Sequence, residues 1–384
     1  MMATKYHTGK FPPSSLDWAR LAPVIGSANA AVARYDGLLQ GIPNPRVLLS
    51  PLTTQEAVLS SKIEGTQATM GEVLEFEAGA DESSPTKTND IHEVLNYRRA
   101  LFEAERLMKE LPLSQRVLQS AHAVLLRGVR GQNKAPGEYR RVPNWIGPTN
   151  CTEEQARFVP INAGDLPDAM GRWEKYLHEE GVDKLVQLAV AHAEFESLHP
   201  FLDGNGRLGR MLVPLFLWQH QLIHTPMFYI SSYLEQRRDE YYERLLAVSK
   251  DDDWTGWCLF FLSAIQAQAQ ENMTRARAIL SLYNELKAQV VEWTHSQYAI
   301  IALDWIFDRP IFSGPDFVNA VSIPSPTAKR ILTVFREHAL LAVVREGRGR
   351  RSSIYSFPRL LNVAEGYQAF VEPNPPAEGP EGNG

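Results

Sequence analysis

Apolar and polar positions along most of the chain alternate with the period of an α-helix. Apolar residues recur every three to four positions from Leu16 to about Lys109, with breaks at Pro43–Pro45 and at residues 79–85. Inside this region, Thr54 begins a short helix that is expected to end at Gly65. Further helices are predicted at residues 114–126, 166–180, 184–197, 207–220, 237–249 and 254–291. The pattern therefore predicts a mainly α protein.

Two regions depart from this pattern. Residues 128–149 are rich in Gly, Pro and Asn with β-formers between them, which predicts a hairpin or an extended loop. After Tyr298, two helices, a short segment and two β-like runs separated by a basic stretch are predicted, in the order typical of a winged helix-turn-helix. These pieces are the helices at 300–307 and 325–338, the segment at 313–321, the β-like runs at 340–344 and 354–357, and the basic stretch at 345–351.

These elements predict an order of domains along the chain. An N-terminal helical region at residues 1–110 carries the short helix at about 54–65, followed by a helical core at 111–290, a winged helix at 291–366 and a tail at 367–384. Residues 1–15 are polar and are expected to lie on the surface as an arm. The tail combines Pro, Gly and acidic residues and is expected to be disordered.

Composition narrows the classes of function. The 384 residues include 39 Lys+Arg against 45 Asp+Glu, a net charge of −6, so a nucleic-acid-binding role would have to depend on one local basic patch. The two cysteines, Cys151 and Cys258, cannot build a disulfide framework or a cysteine-based zinc site, which favours a reducing cytoplasm. The most apolar run, residues 211–223, is too short to span a bilayer, so no membrane insertion is expected.

The segment from His199 to Arg210 carries the candidate chemistry. Gly204 and Gly206 flank Asn205, so that successive backbone N–H groups can point into one concavity at the start of the following helix and bind phosphate oxygens. Arg207 and Arg210 lie on one face near the start of that helix. Two positive charges there are unfavourable unless an anion binds between them. The segment also offers a carboxylate suited to Mg²⁺, Asp203, and a candidate general base, His199.

Two other interpretations of this region are less favoured. Gly204, Gly206 and Gly209 spell G-x-G-x-x-G, but a dinucleotide fingerprint must follow a strand, and here a predicted helix precedes it. The group His192, Glu194, Glu196 and His199 suggests a metal cluster, but its spacing is not H-E-x-x-H and no third ligand is evident.

Two segments of the chain resemble motifs of the Fic family. Residues 199–210 match every fixed position of H-x-F-x-(D/E)-G-N-G-R-x-x-R, and residues 60–65, SSKIEG, match the inhibitory pattern (S/T)-x-x-x-E-(G/N). The resemblance implies a Fic-type helical core with a small β-hairpin flap, followed by the winged helix of longer bacterial members. It also implies a protein adenylyltransferase that moves AMP from ATP to a Ser, Thr or Tyr hydroxyl of a target protein.

The resemblance also implies roles for individual residues. His199 deprotonates the target hydroxyl, Asp203 holds Mg²⁺ on the α- and β-phosphates, and Arg207 and Arg210 bind the β- and γ-phosphates. The anion hole is formed by Gly204, Asn205, Gly206 and Arg207. The flap spans residues 137–149 and would dock the target along the edge that includes Ile146 and Gly147. Tyr241 and Tyr242 would lie beside the nucleotide, and Ser249 stands where some relatives have Asn at the adenine.

The inhibitory pattern predicts regulation within the chain. Ser60 and Glu64 are four residues apart and are expected on one face of the same short helix, with Gly65 ending it. Glu64 would pair bidentately with Arg210 in place of the γ-phosphate, and Ser60 would hold Glu64 by a hydrogen bond. Alternatively, Glu64 positions a water that removes AMP from a modified protein.

Partners and location complete the expectations. Self-modification, a homodimer and a bacterial cytoplasmic location are expected, while the target protein is left open. A second class of function is a DNA-binding regulator in which a helix faces a groove and the basic hairpin contacts phosphates, although winged helices also dock proteins. The residues concerned are Thr327, Lys329, Arg330, Arg345, Arg348, Arg350 and Arg351.

Overall fold

The computed structural model describes residues 3–80, 84–148, 151–348 and 351–374. The fold is mainly helical, as the sequence pattern predicts. The first helices are α1 (Trp18–Gln40), α2 (Pro45–Leu48), α3 (Ser50–Ile63), α4 (Met70–Glu77), α5 (Pro85–Met108), α6 (Gln115–Leu125), α7 (Leu166–Leu177) and α8 (Lys184–Leu198). They are followed by α9 (Asn205–Gln219), α10 (Ser231–Gln236), α11 (Arg238–Asp251), α12 (Trp254–Thr294), α13 (Ala299–Asp308), α14 (Gly314–Ala320), α15 (Ser325–Glu337) and α16 (Pro358–Glu365).

The strands are short: β1 (Thr4–Lys5), β2 (Phe158–Val159), β3 (Ile311–Ser313), β4 (Ala342–Arg345) and β5 (Ile354–Ser356). Two compact units make up the chain. The first comprises Met1–Gly37, Glu56–Gln67 and His92–Asn272, and the second comprises Leu38–Gln55, Ala68–Ile91 and Met273–Gly384. The domain boundaries expected from the sequence stay predictions. Among the described residues, no helix is both long enough and apolar enough to cross a membrane.

Helix α8 is the central element of the first unit. It packs against α7 on one side and α9 on the other, and it is buried along almost its whole length. Buried tryptophans on neighbouring helices use their indole N–H groups to bond α8 carbonyls: Trp173 donates to Ala191 O and Trp257 to Ala189 O, at 2.8 and 2.7 Å. Such bonds satisfy polar groups that would otherwise be costly in an apolar core. The core thereby anchors the middle of α8, the helix whose C-terminal end leads into the candidate chemistry.

The N-terminal arm is not merely a surface segment, contrary to the prediction. β1 pairs in parallel with β2. The His7 side chain is buried, and its ring nitrogens lie 2.8 Å from Glu194 Oε2 and 2.7 Å from Ser249 Oγ. The Tyr6 hydroxyl donates to Glu194 Oε1 at 2.7 Å. Glu194 is buried on α8, and a buried carboxylate needs partners, which the arm supplies.

The described part of residues 137–149 forms no hairpin of its own and fits the other prediction from the sequence, an extended loop. Among the described residues 137–148 no strand pairs with another. Instead Ile146 forms an isolated antiparallel bridge with Phe158, donating to Phe158 O at 2.9 Å and accepting from Phe158 N at 3.1 Å. The pairing partner lies beyond a loop, so local turn signals could not identify it. Thr149, the last residue of the predicted flap, lies outside the described residues.

The second unit contains the element order α13, β3, α14, α15, β4, β5. Its sheet has the order β3-β5-β4, with both pairings antiparallel and Ile311 opposite Ser356. Strand β3 and helix α16 were not predicted, whereas α13 to α15, β4 and β5 correspond to predicted elements. Gly349 and Arg350, at the predicted basic tip, lie outside the described residues.

The predicted tail starts with ordered contacts. The backbone N–H groups of Ala369 and Phe370 donate to Asn362 Oδ1 at 3.0 and 2.8 Å. The Phe370 ring lies close to the backbone of Gly71, also in the second unit. Ala369 and Phe370 therefore contact structured parts of the chain, and residues 375–384 lie outside the described residues.

Candidate active site

His199 lies at the junction between α8 and the loop that leads to α9. It caps α8 in a left-handed backbone conformation, with φ +45°, and its N–H donates to Phe195 O at 3.1 Å. Burial lowers the pKa of its imidazole to about 4, against the opposing charge of Glu64. Within the described residues its Nδ1 is buried without a hydrogen-bond partner. A neutral imidazole of this kind is able to accept a proton.

The loop between the two helices is held by Asn205. Its Oδ1 accepts from Phe201 N at 2.9 Å and its Nδ2 donates to Phe201 O at 2.8 Å, so the side-chain amide is used to close the loop. The buried Phe201 ring stacks on His122 with 3.9 Å between ring centroids. Gly204, with φ +79°, precedes the first turn of α9. The left-handed conformation that aims the following N–H groups outward is one that glycine adopts without strain.

The Glu64 carboxylate lies on the first turn of α9. A methyl group at Gly206 would overlap Glu64 Oε1. Helix N-termini attract anions through unsatisfied N–H groups and the helix dipole. The carboxylate of Glu64 therefore occupies the place where the sequence predicted a phosphate oxygen.

Arg210 binds both members of the inhibitory pattern. Its Nε donates to Ser60 Oγ at 2.8 Å, and its NH2 donates to Ser60 O at 2.8 Å and to Glu64 Oε1 at 2.7 Å. Burial opposes ionisation of Glu64, but the charge and hydrogen bond of Arg210 outweigh it and hold the pKa of Glu64 below its ordinary value. Glu64 thus provides a charged partner for an arginine that is itself almost fully buried.

Three details of the predicted inhibitory contact are wrong. The structure has one Glu64–Arg210 hydrogen bond in place of a bidentate pair. Ser60 accepts from Arg210 rather than holding Glu64. Helix α3 ends at Ile63, so Glu64 follows the helix, in a turn closed by Gly65 N donating to Lys62 O at 2.9 Å. The physical reason is that one guanidinium offers enough donors for both partners, which then need no bond to each other.

Arg207 forms an ion pair with Glu93 on α5, a residue that was not identified from the sequence. Arg207 NH1 lies 3.5 Å from Glu93 Oε2, and NH2 lies 3.4 Å from Asp203 Oδ1. Glu93 also accepts from Thr66 Oγ1 at 2.9 Å and pairs with Arg130. Within the described residues, Arg207 Nε is buried without a partner. A charged residue within the apolar run IHEVL was the only sequence signal for Glu93.

Asp203 presents a partly exposed carboxylate at the entrance of the loop. Its backbone oxygen is fixed by His122 Nε2 at 3.0 Å, while His122 Nδ1 accepts from Gly137 N at 2.8 Å. Burial lowers the pKa of His122 to about 4, which keeps the ring neutral. In the part of the chain that the structure describes, no group of three or more His, Cys, Asp or Glu side chains is arranged to hold a metal ion.

His192, a member of the less favoured metal cluster, belongs instead to a structural network of hydrogen bonds. His192 Nδ1 lies 3.0 Å from Gly209 O, and Nε2 lies 2.9 Å from the hydroxyl of Tyr241. Tyr241 is therefore a buried core residue, and Tyr242 packs on its ring at 5.2 Å between centroids and is partly exposed. Ser249 was expected near the adenine. Its hydroxyl instead forms a hydrogen bond with His7.

Glu196, one turn before His199, was named from the sequence only as a member of the less favoured metal cluster. Burial raises the pKa of its carboxyl to about 8, partly offset by Arg210. A methyl group at Gly209 would overlap Glu196 Oε1. A side chain at position 209 would therefore have to displace the Glu196 carboxyl group, which lies between α8 and α9.

The predicted docking edge lies near the loop. Ile146 pairs with Phe158, and Asn144 Nδ2 donates to Phe201 O at 3.3 Å. A side chain at Gly147 would meet Cys151 Sγ. This segment is therefore connected directly to the loop that carries His199.

Comparisons with known proteins agree with this arrangement. Residues 22–106 match the family model described as Fic/DOC family N-terminal, and residues 112–217 match the one described as Fic/DOC family. Protein adenylyltransferase Fic from Drosophila erecta is 31% identical over 119 residues, 30% of this chain and 21% of that protein. The Drosophila grimshawi protein of the same name is 32% identical over 119 residues, 30% of this chain and 22% of that protein. The matched stretch thus spans about a fifth of the length of these relatives.

Solved structures share the fold. A Fic family protein from Desulfovibrio desulfuricans gives a TM-score of 0.56 at 21% identity, covering 90% of this chain and 98% of that one. A Fic domain containing signaling protein from Bacteroides thetaiotaomicron gives 0.53 at 18% identity, covering 65% of this chain and 97% of that one. The expected Fic-type helical fold is confirmed. The chain therefore carries the N-terminal and Fic segments of the Fic/DOC family, at residues 22–106 and 112–217.

Proposed function

We propose that this protein is a protein adenylyltransferase that transfers AMP from ATP to a hydroxyl side chain of a target protein. The observation that carries the proposal is the Arg210–Glu64 pair on the first turn of α9, beside the buried neutral imidazole of His199. An anion site with two buried arginines and one base is suited to displacement at phosphorus. The name of the matched Drosophila relatives, protein adenylyltransferase Fic, supports the same reaction.

The residues act in sequence along the triphosphate. Arg210 pairs with the γ-phosphate, Arg207 supports the β-phosphate, and the N–H groups around Gly206 bind oxygens at the helix start. Neutral His199 takes the proton of the target hydroxyl while the hydroxyl oxygen bonds to the α-phosphorus. The bond from that phosphorus to the bridging oxygen breaks, and pyrophosphate leaves with the electron pair.

A magnesium ion fits this donor set. Magnesium is usually held by one or two carboxylates together with substrate phosphates, and Asp203 provides one partly exposed carboxylate beside Arg207. When bound, the ion supplies charge neutralisation on the α- and β-phosphates. The contact between His122 and the Asp203 backbone orients this residue.

Glu64 keeps the transferase inactive in this proposal. Its carboxylate holds the guanidinium that the γ-phosphate requires, so ATP would bind in an unproductive pose. The alternative direction, in which Glu64 positions a water that removes AMP from a modified protein, uses the same contacts.

The test is mass spectrometry of Glu64→Gly protein incubated with magnesium and ATP, alone and with lysate. An adenylate mass on Ser, Thr or Tyr peptides is expected, and it should vanish in the Glu64→Gly, His199→Ala double variant. Glu110→Gly, which changes an exposed glutamate just after α5, is the matched control and should stay as inactive as wild type. Absence of the adenylate from every peptide of both Glu64→Gly incubations, with and without lysate, would contradict the proposal.

The two directions are separated by a second incubation. Wild type is added to Glu64→Gly protein that already carries AMP and has been freed of ATP. Release of AMP by wild type, but not by Glu64→Gly protein, would favour the hydrolase direction. Stable modification would favour simple inhibition.

We further propose that residues 291–366 form the winged helix-turn-helix that the sequence predicts. The order α13, β3, α14, α15, β4, β5 with a β3-β5-β4 sheet supports it. Arg330, expected at a groove, donates through NH1 to Thr294 O at 2.8 Å, which leaves Thr327 and Lys329 as the groove-facing candidates on α15. A filter-binding salt titration tests DNA binding, and no retention at low salt would leave protein docking as its role. The homodimer and the cytoplasmic location stay predictions.

A further inference from the structure

Arg140 is a buried arginine that neither motif includes. Its side chain makes four hydrogen bonds to carbonyl oxygens. Nε donates to His199 O at 3.0 Å, NH1 to Val142 O at 3.4 Å, and NH2 to Leu198 O at 3.3 Å and to Ile161 O. Burial lowers the pKa of the guanidinium, but arginine stays charged in proteins. A buried cation bound only through such a set of carbonyls is costly, so it is expected to have a specific role.

The first group of contacts holds the catalytic end of α8. The carbonyls of the last helical turn lack partners within the helix, and a cation there also complements the helix dipole. Arg140 bonds two of them, at Leu198 and His199, while its own N–H donates to Pro200 O at 2.9 Å. His199 has a left-handed backbone, φ +45°, a conformation that costs a non-glycine residue free energy unless its surroundings impose it. The guanidinium is a major part of those surroundings.

The second group of contacts holds the segment that would dock the target. Arg140 NH1 binds Val142 O, within the segment, and NH2 binds Ile161 O, shortly after the bridge partner of Ile146. The planar guanidinium thus contacts the backbone of His199, the proposed general base. It also contacts the backbone of both chain segments that form the docking edge. Its fixed fork geometry sets the distance between them.

We propose that Arg140 is a positioning residue of the transfer reaction, holding the imidazole of His199 in register with the docking segment at residues 142–146. This inference rests on the proposed adenylyl transfer. Misplacing reacting groups by about 1 Å costs on the order of 10²-fold in rate. The groups that would bind the triphosphate, Arg207, Arg210 and the Gly206 backbone, belong to α9 and are not among the contacts of Arg140. Loss of Arg140 should therefore slow the transfer step and leave ATP binding unchanged.

The neighbouring arginine provides a matched control. The Arg141 side chain is 86% exposed and its guanidinium pairs with Glu138 at 3.2 Å. Such a surface pair contributes little to stability. Arg141→Ala removes the same charge from the next position in the chain without touching the backbone of His199.

The experiment uses Glu64→Gly protein as the active parent and follows self-modification with labelled ATP. Arg140→Lys, Arg140→Ala or Arg141→Ala is added to this parent. For each protein we measure the maximal rate, the ATP concentration at half-maximal rate and the equilibrium affinity for ATP. For both Arg140 variants the maximal rate should fall by about 10- to 100-fold, with half-saturation within about twofold of the parent. Arg141→Ala should match the parent, and millimolar guanidinium should partly restore Arg140→Ala.

Each outcome decides the question. If thermal unfolding shows that the Arg140→Ala protein is not folded, the Arg140→Lys protein decides the test. Lysine keeps the positive charge but lacks the planar, forked set of N–H donors. An active parent whose Arg140→Lys variant transfers at the parent rate overturns this inference alone, as does a rate loss matched by an equal loss of ATP affinity. A parent that modifies nothing overturns the proposed function and this inference with it.

Discussion

The carboxylate of Glu64 lies directly against the backbone of Gly206, so closely that a methyl group on residue 206 would overlap Glu64 Oε1. Glu64 comes from the turn after α3, and Gly206 from the first turn of α9, yet the same carboxylate also binds Arg210 at 2.7 Å. The inhibitory carboxylate of Glu64 therefore lies in the same small space that a bound anion would occupy. Whatever occupies the first turn of α9 must first displace Glu64.

Gly206→Ala should destabilise the folded protein through this overlap. We expect a loss of about 1–3 kcal/mol in the free energy of unfolding, the usual cost of overpacking. In the Glu64→Gly background the loss should be smaller, because the overlapping carboxylate is gone. Urea unfolding of the four proteins in this cycle measures the difference. Equal losses in both backgrounds would contradict the contact.

The same substitution should also weaken nucleotide binding. In Glu64→Gly protein the added methyl group projects into the space where phosphate oxygens would approach the helix N-terminus. We expect ATP affinity to fall by about tenfold, equivalent to about 1.4 kcal/mol. Gly171→Ala, on α7, is the control, because a side chain there has open space and ATP binding should not change.

Transfer by Glu64→Gly protein should persist in mild acid. His199 acts as a base only when neutral, and burial lowers its pKa to about 4. Removing Glu64 takes away a charge that raises this pKa, so the neutral form should be retained at still lower pH. Self-modification at saturating ATP should be nearly constant from about pH 8 to about pH 5.5, whereas a half-maximal rate near pH 6.5 would indicate an unperturbed imidazole.

Stability should decline in acid partly through His192. Burial lowers its pKa to about 3, so the unfolded chain binds a proton at higher pH than the folded protein does. The stability from keeping this ring neutral is present above the unfolded pKa of about 6.5 and is lost as pH falls towards the folded value. Between pH 7 and pH 5 this amounts to about 2 kcal/mol. Urea unfolding of His192→Gln should show a decline smaller by that amount, and an unchanged decline would exclude this histidine as the source.

Thr66→Val should partly release the inhibition. Thr66 follows Glu64 by two residues, and its hydroxyl donates to buried Glu93 at 2.9 Å. Losing a hydrogen bond worth about 1 kcal/mol should loosen the Glu64 turn and raise self-modification about fivefold, far less than Glu64→Gly does. Thr333→Val is the control, since that hydroxyl bonds only a carbonyl of its own helix at 3.1 Å. No increase in rate would mean that Thr66 does not restrain Glu64.

Local sequence determined the helices and the loop motif. Helices α6 to α9, α11 to α13 and α15 follow from periodicity and from Gly and Pro positions, because those signals act over a few residues. The left-handed turn at Gly204 and the side-chain closure by Asn205 are likewise encoded within residues 199–210. The inhibitory pair was found by sequence only because two separate motifs match a known family.

Tertiary structure decided the contacts between distant parts of the chain. Glu93 behind Arg207, Arg140 on the carbonyl of His199, and the pairing of Ile146 with Phe158 depend on packing that no local pattern records. The N-terminal arm follows the same rule, because buried Glu194 on α8 required the partners that Tyr6 and His7 supply. The sequence by itself thus determined which groups can bind an anion and move a proton. The fold decided their partners, because a buried charge takes as its partner whatever polar group packing brings within hydrogen-bond distance.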